Sequence, residues 1–302
     1  LHPRVRRQRQ MCIRDRSYGS PLSKFKDDTD GIGFYEVVRD IEEHFEEKKA
    51  ELIQNLKQLS RQIFRVDNVM ISYTSSEDGL APMEAAFREI KDTLYPELDG
   101  EEIPCVLHGR KRNEGFKTSS KVQYVARVGN FIDHGAQYHG ALQILKVILS
   151  YDYLWQNVRV KGGAYGCMSN FNRIGEGYLI SYRDPNLKKT MEVYEGVVDY
   201  LKNFTVDERD MTKYIIGTIS NIDRPMNPAA KGDRSMNLYM NHVSQEMIRT
   251  ERSQILHAAQ EDIRALAAVV EAMLKAEQIC VIGSEEKIEE EKEMFLEVKT
   301  LF

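Results

Sequence analysis

Residues 154–166 read Leu-Trp-Gln-Asn-Val-Arg-Val-Lys-Gly-Gly-Ala-Tyr-Gly, with the guanidinium of Arg159 and the phenol of Tyr165 on either side of the pair Gly162 and Gly163. A guanidinium suits a carboxylate or a carbonyl oxygen, and a phenol can donate to an oxygen that gains negative charge during acyl transfer. Adjacent glycines admit backbone conformations and close approaches that a Cβ forbids. The pair could let a substrate strand or a neighbouring domain lie against the chain between the two polar groups. Glycines also serve a purely structural role where a helix turns into a strand, and the motif taken alone leaves both readings open. Neither Gly-x-Gly-x-x-Gly nor Gly-x-x-x-x-Gly-Lys-Ser/Thr is present, which argues against a nucleotide site.

The other residues able to do chemistry are scattered. No pair among His2, His44, His108, His134, His139, His242 and His257 forms His-x-x-Glu-His or its reverse. His134 and His139 stand five apart, the wrong interval for one helix face, so each histidine reads as a surface or capping residue. Cys12, Cys105, Cys167 and Cys280 form no Cys-x-x-Cys pair, so neither a zinc knuckle nor a disulfide framework is indicated. This usage fits a reducing, cytosol-like compartment, or an organelle matrix in a eukaryotic cell. Cys167, beside the glycine motif, is either a reactive thiol or a small apolar side chain, and the second is the simpler reading.

The 302 residues suffice for about two domains of common size. No apolar run approaches the roughly 18 residues a membrane span needs, so no membrane partner is expected. Residues 1–16 hold six Arg against one Asp, so of the formal net charge of -5 the remaining chain carries -10. A body that acidic is a poor match to a phosphate backbone, and nucleic acid is not expected as a partner. Residues 1–16 also lack apolar periodicity, and Met11–Arg16 resembles a translated sequencing adapter. On that reading the segment is non-native, a natural N-terminal part is missing, and the segment is set aside from fold reasoning. A natural basic arm or targeting peptide is the alternative.

The elements that must position the motif follow from periodicity. Apolar residues at helical spacing run from Phe34 to Phe64, as one long helix or two in series. A strand is predicted over Asn68–Thr74 and a helix over Pro82–Leu94. Residues 95–118 read as a loop and domain boundary, in which Arg110-Lys111-Arg112 is a solvated run or a site for an anionic partner. Next come a strand over Lys121–Val128, a buried helix over Tyr138–Trp155, and strands over Ala164–Asn170 and Gly177–Arg183, paired across residues 172–176. A helix bearing Met191, Tyr194, Val198 and Leu201 follows, then one opened by a capping box of Thr205 and Glu208. Pro225, Pro228 and Gly232 are expected to break helicity until about Ser235. A helix over Glu261–Lys275, a strand over Gln278–Gly283 and an acidic helix from Glu285 close the chain. The repeated helix–strand–helix order, with Ser76-Glu77 and Ser284-Glu285 after the two strands, suggests two related domains in tandem. Strands and helices are partly grouped, which favours an α+β fold over a doubly wound sheet.

At Arg159 and Gly162–Gly166, and through Asn113-Glu-Gly-Phe116, Tyr182-Arg-Asp-Pro185, residues 223–232 and Glu261-Asp-Ile263, the chain resembles the C-terminal half of the pitrilysin/insulinase superfamily of zinc metallopeptidases. It is most similar to the presequence-protease-like branch. The resemblance implies residues 17–100 as the tail of a third homologous domain and residues 101–302 as the complete fourth, each a mostly antiparallel sheet packed on helices. It implies a zinc ion held by a His-x-x-Glu-His helix in the N-terminal half of the same protein and none in this chain, with unstructured peptides as substrates. Arg159, Gly162, Gly163 and Tyr165 become substrate-binding residues, and Tyr165 the oxyanion-stabilising catalytic group of the full enzyme. On this reading the chain alone cuts no peptide. The runner-up is a zinc-less relative that binds or scaffolds a partner.

Overall fold

The structure, a computed structural model, describes residues 13–14, 16–96 and 113–301. The chain forms two compact units, neither continuous in sequence. Unit 1 draws on Leu1–Glu36, Leu107–Asp223 and Arg249–Phe302, and unit 2 on Val37–Val106 and Arg224–Ile248. The sequence suggested a single break near residue 100.

The helices in chain order are α1 (Pro21–Asp30), α2 (Ile32–Glu43), α3 (Phe45–Ile63), α4 (Leu80–Lys91), α5 (Ala141–Ile148) and α6 (Lys188–Glu195). They continue as α7 (Val197–Lys202), α8 (Glu208–Ile222), α9 (Pro228–Met240), α10 (Gln245–Leu256), α11 (Gln260–Leu274) and α12 (Glu285–Glu290). The strands are β1 (Asn113–Thr118), β2 (Gln123–Asn130), β3 (Gly166–Phe171), β4 (Glu176–Asp184), β5 (Gln278–Ser284) and β6 (Glu297–Thr300).

Unit 1 is a sheet of order β3-β4-β2-β5-β1-β6. The β3–β4, β4–β2 and β2–β5 ladders are antiparallel, while β1 runs parallel to both β5 and β6. The fold is therefore α+β with a mixed sheet. Side chains alternate across the pleat. Val125, Leu179 and Val281 join the main core with Leu142, Leu145, Tyr194, Val270 and Met273 from the helices. Ala126, Val128, Ile180, Cys280 and Ile282 face the other side, with Phe116, Tyr18 and Ile32. Pairing of β3 with β4 across residues 172–175, and the strands β2 and β5, follow the sequence expectation within a residue or two.

Several expectations are corrected. Asn113–Thr118, read as the end of a loop, is strand β1, buried between β5 and β6. Its one large apolar residue, Phe116, is fully buried, and Glu114 is buried through ionic and hydrogen bonds to Arg14 and Tyr18. Arg14 belongs to the segment set aside, yet it is 2% exposed and also pairs with Asp27. The helix after Thr205 is capped not by that residue but by Asp207, whose carboxylate accepts the Asp210 N–H at 2.7 Å. Pro228 opens α9 instead of delaying it: Asn227 caps the helix, the proline takes a first-turn position where its missing N–H is harmless, and Gly232 lies inside.

Unit 2 contains α3, α4 and α9. The helical stretch from Phe34 is two helices in series, α2 and α3, broken at His44. The strand predicted over Asn68–Thr74 is not formed. Val69, Met70 and Ile71 are 39–49% exposed there, and no described strand pairs with them. A β-propensity run becomes a strand only against a neighbour.

Candidate functional site

The approach to the site is a helix that loosens as it ends. α5 passes into π-helical turns over Leu149–Tyr153 and Trp155–Val160. Such turns are rare and recur at functional sites. The last one closes on Gly163, whose φ of 80° lies in the left-handed region that favours glycine. Its N–H donates to the Arg159 carbonyl at 2.9 Å, and the next N–H, of Ala164, to the Val158 carbonyl at 3.1 Å. A Cβ on Gly162 would stand 2.4 Å from the Val158 carbonyl oxygen. Both glycines thus serve a structural role, whatever else they do.

This tight reversal brings Arg159 back over Tyr165. The Arg159 guanidinium stacks on Trp155 with 4.4 Å to the ring centre, lies 5.7 Å from the centre of the Tyr165 ring, and donates through Nη1 to the Tyr165 carbonyl. Tyr165 itself is 58% exposed, its ring edge-on to Tyr182 at 5.6 Å. Arg159, Gly163, Ala164 and Tyr165 line one open groove of about 620 Å³, together with Val122, Val160 and Arg183.

The turn is tied to the sheet. Asn186 donates its side-chain amide to the Gly162 carbonyl at 2.6 Å, while its backbone N–H donates to Asp184 at 2.8 Å. Asp184 also accepts the Thr190 hydroxyl at 2.8 Å. Burial holds the Asp184 carboxyl above the usual carboxylate range.

Sequence reasoning missed Trp155 and Arg183 as members of this site. Trp155 carried a usable signal, standing four residues before Arg159 where helical neighbours share a face. Arg183 stood in the resemblance only within Tyr182-Arg-Asp-Pro185, and nothing there placed it in the groove, which it reaches through a backbone irregularity that residue types do not announce.

Cys167 follows on β3, half-buried, its thiol pushed up to about 11 by burial against the opposing pull of the Arg159 charge. This supports the small apolar reading. At neutral pH its thiolate population is then on the order of a hundred-fold below that of an ordinary cysteine. Alkylation of Cys167 by iodoacetamide, followed by mass spectrometry of its peptide, is expected to stay slow to pH 9 and to climb steadily from there toward pH 11. Fast labelling at pH 7.5 would contradict it.

Among the described residues no three His, Cys, Asp or Glu side chains gather to hold a metal ion. The groove is lined by no His, Cys, Asp or Glu, so its side chains do not fit a zinc site. Among the described residues no helix is long and apolar enough to cross a membrane.

Residues 113–285, more than half of the chain, match the family model described as the PreP C-terminal domain. The chain belongs to that family, the C-terminal half of presequence-protease-like, pitrilysin-type peptidases. It is 40% identical over 286 residues to "Protein HypA" of Clostridium perfringens, an alignment covering 94% of this chain and 29% of that protein. It is 29% identical over 273 residues to "Presequence protease 1, chloroplastic/mitochondrial" of Arabidopsis thaliana, covering 89% of this chain and 25% of that protein. The chain thus spans between a quarter and three tenths of the length of these relatives. The crystal structure of a protease from Helicobacter pylori aligns at a TM-score of 0.46 with 16% identity, covering 66% of this chain and 52% of that one.

Proposed function

We propose that this chain is the substrate-binding C-terminal part of a zinc metalloendopeptidase that degrades unstructured peptides, completed by an N-terminal half of the same protein that carries the zinc. Residues 17–100 would be the tail of its third homologous domain and residues 101–302 its fourth. A cytosol-like or organelle-matrix compartment suits the protein. The observation that carries this reading is that Arg159 and Tyr165, held together by the Gly162-Gly163 turn, line one open groove.

An extended peptide has unpaired backbone carbonyls, and the groove offers two kinds of donor to them. Arg159 is pinned by the Trp155 face and by one bond to the Tyr165 carbonyl, so little side-chain freedom is lost when its other N–H groups bind a substrate carbonyl. Being charged throughout, it holds the peptide before and during reaction. The Tyr165 phenol is a neutral donor whose contribution grows as a carbonyl oxygen takes up negative charge. Val122, Val160 and Ala164 supply apolar lining beside these donors.

The test is Arg159→Ala in the intact enzyme, assayed on unstructured peptides. A lost hydrogen bond from a charged group is expected to lower kcat/KM by about ten- to a hundred-fold, mostly through a higher KM. Unchanged KM in a folded variant, or an intact protein that cuts no peptide, would overturn the reading.

A further inference from the structure

Arg183 sits at an irregular end of β4. β2 pairs Gln123 with Asp184 and Val125 with Ser181, so Tyr124 alone opposes both Tyr182 and Arg183. This is a β-bulge, a device that re-aims a side chain. Arg183 takes φ 50° within it, a left-handed conformation that disfavours a long side chain and that asparagine or glycine accepts more readily. A disfavoured backbone that keeps an arginine is reason to ask what the side chain does.

The side chain is exposed and lines the groove. Its guanidinium lies 5.5 Å from the centre of the Tyr165 ring, and that of Arg159 lies 5.7 Å from the same centre. Among the described residues no carboxylate forms an ion pair with either guanidinium. Elsewhere in unit 1, Arg127, Arg173 and Arg252 are matched to Glu195, Glu251 and Asp223. What distinguishes Arg159 and Arg183 is that two guanidinium groups flank one phenol in a chain whose residues beyond 16 carry a net -10. The sheet thus presents local positive charge to whatever enters the groove, against an acidic background that repels anions in general.

We propose that Arg183, acting with Arg159, forms a carboxylate-binding subsite of the groove, which takes either the C-terminal α-carboxylate or an Asp or Glu side chain of a bound peptide. The subsite rests on the reading of the groove as a peptide site. Arg183 sets which peptides are preferred, and Arg159 serves both the subsite and the backbone contact.

Fluorescent peptides made resistant to cleavage by N-methylation are titrated into the intact protein in matched sets, one differing as C-terminal acid or amide, the others as Glu or Gln at successive positions. At low salt one set is expected to favour the charged member by about five-fold, the scale of a solvent-exposed ion pair, with the preference shrinking as salt is raised. The set that responds tells α-carboxylate from side chain. Arg183→Gln and Arg183→Asn should each bring the ratio close to one. Arg183→Asn suits the left-handed backbone and is expected to keep or raise the thermal midpoint, which guards against loss of fold as the cause. A wild-type ratio of one in every set, or a folded Arg183→Asn protein that keeps the preference, would overturn the proposal. If Arg159→Ala leaves affinity for neutral peptides intact while Arg183 still governs the ratio, the carbonyl-binding role fails and the subsite stands.

Discussion

Tyr165→Phe in the intact enzyme is expected to lower kcat by about 10²–10³-fold while leaving KM nearly unchanged, the loss typical of one oxyanion donor. The substitution removes only the hydroxyl. The ring keeps its edge-on contact with Tyr182 at 5.6 Å, and at 58% exposure the side chain adds little to the core, so stability should not move. Steady-state kinetics on unstructured peptides, with folding followed by circular dichroism, separate this from the Arg159→Ala result, in which KM carries the change. A Tyr165→Phe enzyme with wild-type kcat would reduce the phenol to an aromatic spacer beside the two guanidinium groups.

The second large effect is on folding. Gly129 lies inside β2, and a Cβ there would stand 2.1 Å from the Met273 carbonyl oxygen and 2.8 Å from the Ala276 Cβ. The obstacle is the backbone at the end of α11, which cannot swing aside as a side chain can. α11 buries Leu266, Val270 and Met273 in the main core, so lifting it off the sheet undoes packing along its length. Gly129→Ala is expected to destabilise the protein by about 3 kcal/mol or more, at the upper end of overpacking costs. Gly163→Ala makes a contrast. Its Cβ would find only Pro185 at 3.6 Å, and its cost is the left-handed backbone alone, about 1 kcal/mol. Denaturant unfolding of the two variants should rank them in that order, and a Gly129→Ala protein as stable as wild type would mean that α11 sits less tightly on the sheet.

How much of this was legible depends on where each signal resides. β2, β4 and β5 are flanked on both edges, and their alternation of Val125, Leu179 and Val281 against Ala126, Ile180 and Ile282 is written in residue types. β1 is equally enclosed, but Asn-Glu-Gly-Phe-Lys-Thr shows only one large apolar residue, because Glu114 is satisfied by ionic and hydrogen-bonding partners instead of apolar contact. In the opposite sense, Val69, Met70 and Ile71 have the right composition for a strand and no described neighbour to pair with. Within the site, Arg159 and Tyr165 were visible because the glycines between them mark a reversal. Arg183 was not, since a bulge and a positive φ arise from how β2 and β4 pair, over fifty residues apart in the chain.

The place of β5 in the sheet bears on how the protein is made. β1 cannot pair with β5 until a segment 166 residues downstream exists, as the Asn113–Ile279 contact shows. During synthesis β2, β4 and β3 can zip into an antiparallel ladder early, but β2 then offers an open edge and β1 has no partner. Contacts so distant in sequence slow folding, and unpaired edges are where nascent chains stick to one another. At roughly 5–20 residues per second the ribosome leaves that edge bare for several seconds or more, the interval in which the growing polypeptide is most prone to stick to its neighbours.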